Sequence, residues 1–365
     1  MRPKTRARQG PRVGDDVKGA KGLFIVVAVA LLLGSETWPH GQPAAPLVGF
    51  SFSPDPSRYA GRDAAQDLML LLDATQPDLV RLPIYWEDVE PTPDQLDFDS
   101  IDPLVAVVAN HNRTAPHQTR VVLTIGARNF LFPELHEPDW AGPRLQPYLD
   151  QAQAGSSYRT YFDTSITRYR GSPLLYAWQV ENEPLDFVGN DFTGDDQITA
   201  SQLAWEIGEV HRLDPAHKAV ITTYNGMNVF VDMMRLPAPA PFGASGHPAD
   251  ALEVADALGL DLYVDGPNIS FRHFVTIDLR EQWKQETVTF WGDQASRQGK
   301  DLWVAEMQAQ PWSDSTTFKP KDLVASAVDY RQDNLQVVLM WGVETWLTDP
   351  SWLAAGAKAL QILRS

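Results

Sequence analysis

From residue 46 onward, short apolar runs alternate with stretches whose apolar positions recur three and four residues apart. The runs are Leu47–Phe52, Leu79–Ile84, Arg120–Ile125, Leu174–Val180, Ala219–Thr223, Leu258–Val264, Leu302–Glu306 and Val337–Trp341. They are rich in Val, Ile and Leu and lack a polar face, as expected of strands covered on both sides. Helical spacing shows in Leu203, Ile207 and Val210, in Leu279, Trp283 and Thr287, and in Leu323, Ala327 and Tyr330. Pro320, just after Lys319, suits a first helical turn, and Trp352 to Leu363 reads as a closing helix. Strand and helix units repeated in this way predict an α/β fold, a (β/α)8 TIM barrel, as a single catalytic domain over residues 46–365. A doubly wound sheet would carry a Gly-rich turn after its first strand, and Phe50-Ser51-Phe52-Ser53-Pro54 is no such turn. The irregular stretches 126–154, 184–197 and 236–250 are expected at the rim, as substrate loops.

Composition narrows the chemistry. The chain has 365 residues, 44% of them hydrophobic, which is enough for a barrel of about 250 residues or more. It has no cysteine, so thiol catalysis, disulfides and cysteine-bound metals are excluded. Its formal charge is −17, an acidic body that repels nucleic acid and anionic membranes and suits neutral substrates.

Residues 1–35 differ in character. Arg2, Lys4, Arg6, Arg8, Arg12, Lys18 and Lys21 precede an apolar run from Leu23 to Leu33, as in a secretory signal peptide or an N-terminal membrane anchor. The run is short for a span, which needs about 20 apolar residues. Residues 36–45 read as a linker. The expectation is a protein secreted or held at the cell surface by this segment.

Two glutamates stand at strand ends. Glu183 closes Trp178-Gln179-Val180-Glu181-Asn182-Glu183-Pro184 after the fourth run, and Glu306 lies in Leu302-Trp303-Val304-Ala305-Glu306-Met307-Gln308 on the seventh. In a barrel both would sit at the C-terminal rim, where active sites are built. Two carboxyls there, one protonated and one ionised, are what cleavage of a glycosidic bond requires. Their alternative reading is a pair of structural salt-bridge residues.

The chain resembles the clan A glycoside hydrolases, retaining barrel enzymes that include cellulases, mannanases, β-galactosidases and β-xylosidases. The resemblance rests on Asn182-Glu183-Pro184 after strand four and Glu306 on strand seven, and it spans residues 46–365. It implies that Glu183 is the acid/base, Glu306 the nucleophile and Asn182 a ligand of the sugar 2-hydroxyl. It implies further that Arg81 supports the nucleophile, a fixed cation that would favour the charged carboxylate. Tyr263 would donate to the same carboxylate, or be a buried tyrosine with its hydroxyl satisfied. Trp341, ending strand eight, would lie under the sugar being cleaved, because indoles bind the apolar C–H faces of sugars. One family of the clan carries His-x-Tyr after strand six, where this chain has Asp261-Leu262-Tyr263.

Weaker candidates follow from position alone. Trp312 is a second platform candidate, and Trp86, Trp140 and Trp346 follow strands in rim segments. Asn225, after strand five, would reach the sugar or serve as a turn residue. His136 and His273 are expected in rim loops. Glu181, the internal rival of Glu183, is expected on the same side of the strand, one layer deeper, paired with a cation such as Arg81. Asp191, Asp195 and Asp196 match no calcium-loop spacing. No zinc motif, phosphate loop or nucleophile elbow occurs, so no metal and no cofactor is expected. The function this predicts is an exported retaining β-glycosidase or endo-β-glycanase acting on an oligo- or polysaccharide. The alternatives are a non-catalytic carbohydrate-binding barrel and a transglycosylase that remodels a surface polysaccharide.

Overall fold

A computed structural model describes residues 45–131, 134–141, 156–184, 198, 200–224, 248–264, 269–271, 275–277, 281–311, 317–331 and 334–365. The N-terminal segment and the linker lie outside this set, apart from residue 45.

The strands are β1 (Leu47–Ser51), β2 (Leu79–Pro83), β3 (Arg120–Ile125), β4 (Leu175–Val180), β5 (Lys218–Tyr224), β6 (Ala257–Leu262), β7 (Asp301–Gln308) and β8 (Val337–Trp341). Each pairs in parallel with its neighbours in sequence, and β8 pairs with β1, so the sheet closes into a barrel. A helix follows each strand: α1 (Ala64–Thr75), α2 (Asp102–His111), α3 (Ser157–Tyr169), α4 (Ala200–Leu213), α5 (Pro248–Val254), α6 (Glu281–Arg297), α7 (Pro320–Asp329) and α8 (Pro350–Arg364). The fold is the expected (β/α)8 barrel, and the ends of the expected strands lie within two residues of the observed ones, the largest differences being at the C-terminal ends of β6 and β7. A small antiparallel hairpin, Ile269–Phe271 with Val275–Ile277, follows β6.

Helix ends follow local chemistry. Asp63 caps α1 by accepting from the backbone N–H of Ala65 at 2.8 Å, and Ser156 caps α3 through Arg159 N at 3.2 Å. Asp349 caps α8, with Pro350 in the first turn. The helical patterns pack as expected: Leu203, Ile207 and Val210 are buried, as are Leu323, Ala327 and Tyr330. Of the third pattern Thr287 is buried, and Leu279 lies outside the described residues.

Alternation along the strands divides the core in two. One face of each strand packs outward under the helices, with Val80, Leu82, Val121, Leu123, Trp178, Val180, Leu258 and Leu260 among many. The other face fills the interior with Leu79, Val122, Ala177, Val220, Ala257, Trp303, Val337 and Leu339. One step of two residues toward the C-terminal end reaches Arg81, Thr124, Gln179, Thr222 and Trp341, and two such steps from Leu47 and Ala257 reach Ser51 and Asp261. The interior is therefore apolar at its base and polar at its mouth.

Two strands carry an extra residue. On β4 the register slips at Tyr176, whose ring stacks on Trp303 with centroids 5.8 Å apart. On β7 it slips at Ala305, because Leu260 and Asp261 of β6 face Val304 and Glu306. Ala305 lies against the inner side of Gly259, where an added Cβ would come within 2.9 Å of the alanine methyl. Glu306 also points inward, while Val304 and Met307 join the outer core. The bulge thus aims two consecutive residues at the interior, a common way for a sheet to re-aim a side chain.

Candidate active site

Arg81 is fully buried at the mouth and binds three strands with one guanidinium. Its Nε donates to Ser51 Oγ at 2.7 Å, one terminal nitrogen to Gln179 Oε1 at 2.8 Å, and the other to Glu306 Oε1 at 2.7 Å. Phe130 covers the guanidinium face at 4.2 Å. The second oxygen of Glu306 accepts a hydrogen bond from the Tyr263 hydroxyl. Both oxygens of this carboxylate are therefore oriented by donors, one on β2 and one just past the end of β6. Burial, then the charge of Glu306, pushes the Tyr263 phenol well above its ordinary value, so the phenol stays a donor.

Glu183 lies just past β4, at the same end of the barrel. Its backbone N–H donates to Thr222 Oγ1 at 3.0 Å. Asn182 turns its side-chain oxygen to Gln179 Nε2 at 3.0 Å and lies 3.4 Å from the Thr222 hydroxyl. Gln179 thus joins Arg81 to the Asn182-Glu183 turn. Glu181 and Glu183 both hold positive φ, 59° and 46°. A non-glycine residue in that region costs on the order of 1–3 kcal/mol, and such strain gathers at functional sites.

That backbone turn separates the two glutamates. The sequence places Glu181 on the same side as Glu183, paired with Arg81, but the strand ends at Val180 and alternation ends with it. Glu181 accepts instead from Ala127 N at 3.0 Å, Arg128 N at 2.6 Å and the Tyr158 hydroxyl at 3.0 Å. The Tyr158 oxygen also lies 2.5 Å from Glu206 on α4, so the two carboxyls share one hydroxyl. Burial raises the pKa of Glu181, and burial followed by the charge of Glu181 raises that of Glu206 well above its usual range. Glu181 is a structural residue that ties the turn to the segment after β3.

Three solved structures with the same architecture are a GH5_18 protein from Streptomyces cattleya in complex with GlcNAc, an endo-1,4-β-mannanase from Rhizomucor miehei and xylanase 10B from Thermotoga maritima. The first is 14% identical with a TM-score of 0.59, over 88% of this chain and 81% of that one. The mannanase is 12% identical with a TM-score of 0.56, over 89% and 98%. The xylanase is 12% identical with a TM-score of 0.52, over 82% and 83%. No family model matches the sequence, and no curated protein matches it significantly. The chain shares its (β/α)8 barrel fold with these three structures. At these identities the likeness is one of fold, and the chemistry rests on the mouth itself.

Of the residues singled out from sequence, the fold brings Arg81, Asn182, Glu183, Tyr263, Glu306 and Trp341 to one end of the barrel. Trp341 stands edge-on to Tyr263, with centroids 5.7 Å apart, and lines a cavity of about 280 Å³ together with Ser51, Ser53, Phe130, Gln310 and Glu344. Glu344 accepts from Ser53 N at 3.1 Å, and burial lifts its pKa to about 7. Trp312, Asn225, His273, Asp191, Asp195 and Asp196 lie outside the described residues.

Three rim expectations are corrected. Trp86 and Trp346 are core residues, fully or almost fully buried, with indole N–H groups donating to Glu90 at 2.8 Å and to the Ala309 carbonyl at 3.0 Å. Their large apolar surface is better covered by helices than left at a wet rim. His136 is buried as well, stacked on Tyr85 at 3.8 Å and bonded to Glu87 at 2.7 Å. Trp140 is half-buried edge-on against Trp86 and donates to the Glu90 carbonyl at 2.8 Å.

The sequence reading passed over Asp261, Gln179 and Glu344. Each had a signal: two residues beyond an interior position for the first two, and the segment after β8 for the third. Asp261 is fully buried beside Glu306. Burial, then the charge of Glu306, pushes its pKa well above the carboxylate range.

Proposed function

We propose that the protein is a retaining β-glycosidase or endo-β-glycanase. The observation that carries this reading is the Glu306 carboxylate held between Arg81 and Tyr263 in the mouth that also receives Glu183. Glu306 attacks the anomeric carbon as the bond to the leaving oxygen breaks, and Glu183 gives that oxygen its proton. In the second half Glu183 takes a proton from water, the water oxygen bonds to the anomeric carbon, and Glu306 leaves as a carboxylate. Arg81 and Tyr263 steady the carboxylate as it departs. Asn182 has its carbonyl oxygen on Gln179, so it would serve the sugar 2-hydroxyl through its amide nitrogen. Trp341 offers a flat apolar wall to the sugar ring.

The two glutamates have different roles, so their variants should fail differently. Glu306→Gln should lower activity by several orders of magnitude on every substrate. Glu183→Ala should hurt poor leaving groups most, and azide should rescue its turnover of an activated aryl glycoside, giving a β-azide product. Equal loss in both variants on all leaving groups, with no azide effect, would show that the roles are misassigned. Full activity of Glu306→Gln would end the glycosidase reading.

We propose export as well, on the basic tail and apolar run of residues 1–35. Residues 1–45 fused to a reporter should carry it out of the cytoplasm, and a reporter retained inside would refute this.

A further inference from the structure

Tyr158 on α3 presents one hydroxyl to two carboxyls, Glu181 Oε1 at 3.0 Å and Glu206 Oε1 at 2.5 Å. All three side chains are fully buried, and the rings of Trp86, Tyr161, Phe162 and Trp205 pack around Tyr158. Among the described residues, the ionisable groups facing Glu206 are Tyr158 and Tyr161 from α3 and Glu181 after β4, and none of them is a cation. A hydroxyl has one proton to give. Were both carboxyls ionised, one of the two contacts would set oxygen against oxygen with no proton between them. The pair therefore holds a proton of its own. Glu181 is the poorer place for it, because its two oxygens already accept from Ala127 N at 3.0 Å and Arg128 N at 2.6 Å, and such donors favour the ionised form. Glu206 accepts only from Gln202 Nε2 at 2.8 Å, one turn back on α4, and its Oε2 has no partner. An ionised Glu206 would thus bury a charged oxygen without a donor. Burial, then the charge of Glu181, raises the Glu206 pKa well above its ordinary value, in agreement with the proton count.

We propose that Glu206 is a neutral carboxylic acid that donates to Tyr158, which donates in turn to Glu181, so that α4 holds the turn bearing Glu183. Glu206 is then a positioning residue for the acid/base, a role that rests on the glycosidase reading. The turn is strained at Glu181 and Glu183, and the chain of donors is what keeps the Glu181 end of it in place. An ionised Glu206 would draw the Tyr158 proton to itself and set a second anion behind Glu181.

Glu206→Gln keeps the shape and an N–H for Tyr158 but carries no acid proton. The first test needs no activity. In the infrared difference between the wild type and Glu206→Gln at neutral pH, the wild type should show a carboxylic-acid C=O band that the variant lacks. Loss of a carboxylate band instead, or a variant that fails to fold, would overturn the proposal. Melting curves give a second measure of the same proton. The folded chain keeps it where the unfolded chain releases it, above the ordinary value of 4.5. The wild type should therefore lose stability relative to Glu206→Gln as pH rises above that value, until Glu206 ionises in the fold. A flat gap, or one that widens in favour of the wild type, would count against a neutral Glu206. The positioning role is read from kcat/KM, which reports the step in which the leaving oxygen departs. Glu206→Ala should lower it about ten- to a hundredfold on a glycoside with a poor leaving group, the scale of a displaced catalytic group, and far less on an activated aryl glycoside, which needs little from Glu183. Glu206→Gln should restore most of the loss. An equal loss on both substrates, or no restoration, would overturn the positioning role. A wild type inactive on every glycoside would remove the glycosidase reading and the positioning role with it, and the infrared band would still decide the proton on Glu206.

Discussion

Arg81 joins β1, β4 and β7 through Ser51, Gln179 and Glu306. A lysine has one nitrogen and no fork, so it would serve at most part of this set. The pair with Glu306 is buried on both sides, with side-chain exposures of 0% and 4%. Removing one member of such a pair strands the other as an unpaired charge, at a cost of about 3–5 kcal/mol. Arg81→Met should therefore unfold at markedly lower denaturant concentration. The double variant Arg81→Met/Glu306→Gln should recover most of that loss, because the stranded charge is gone. Additive losses in the double variant would mean that the two side chains are not energetically coupled. Neither variant is expected to be active.

The turn after β4 takes its shape from the segment after β3. Gly126 has φ 137°, and a Cβ there would lie 2.4 Å from the carboxyl carbon of Glu181. That close approach lets the backbone N–H groups of Ala127 and Arg128 hold the Glu181 carboxylate, which in turn fixes the strained turn that carries Glu183. Gly126→Ala should thus act twice. Overpacking of about 1–3 kcal/mol should appear in chemical denaturation, with backbone strain added. Activity should fall further than the lost stability explains, because Glu183 moves with the turn. A variant of normal stability and activity would show that the Glu181 contact does not position Glu183.

Across the whole molecule, several carboxyls are raised together by burial: Glu344 to about 7, with Glu134, Glu181, Glu206 and Asp261 also above their ordinary range. A raised carboxyl keeps its proton in the fold at a pH where the unfolded chain has lost it. Its stabilising effect is therefore complete below the unfolded value and is lost as pH rises through the folded one. For Glu344 that window runs from the ordinary 4.5 to about 7. The melting temperature should be highest on the acid side and fall across this window, and Glu344→Gln should fall less steeply. The formal charge of −17 pulls in the same direction through repulsion at the surface. Salt separates the two, since exposed charges are screened over about 10 Å at 0.1 M and buried ones much less. A decline abolished by salt would assign it to the surface.

The sequence by itself determined the barrel, the order of its strands and the end of it that bears chemistry. Strands covered on both faces must be apolar runs, and β3 and β8 begin and end where their runs do. Arg81, Tyr263, Glu183, Glu306 and Trp341 were legible because each interrupts or ends such a run with a residue that an apolar core would not choose. Tertiary structure alone decided which of these side chains meet. Periodicity assigns faces along one strand, but it does not set register between strands, nor the path of the chain once a strand ends. The bulge at Ala305 turns Glu306 inward, a shift visible only against β6 and β8. The positive φ of Glu181 sends its carboxylate to backbone donors after β3 instead of to Arg81. Trp86, Trp346 and His136 read as rim residues because they follow strands, yet helices cover the two tryptophans and the Tyr85 ring covers His136. Asp261 looked like a flank of Tyr263, and it became a buried carboxyl beside Glu306 only when β6 and β7 came into register.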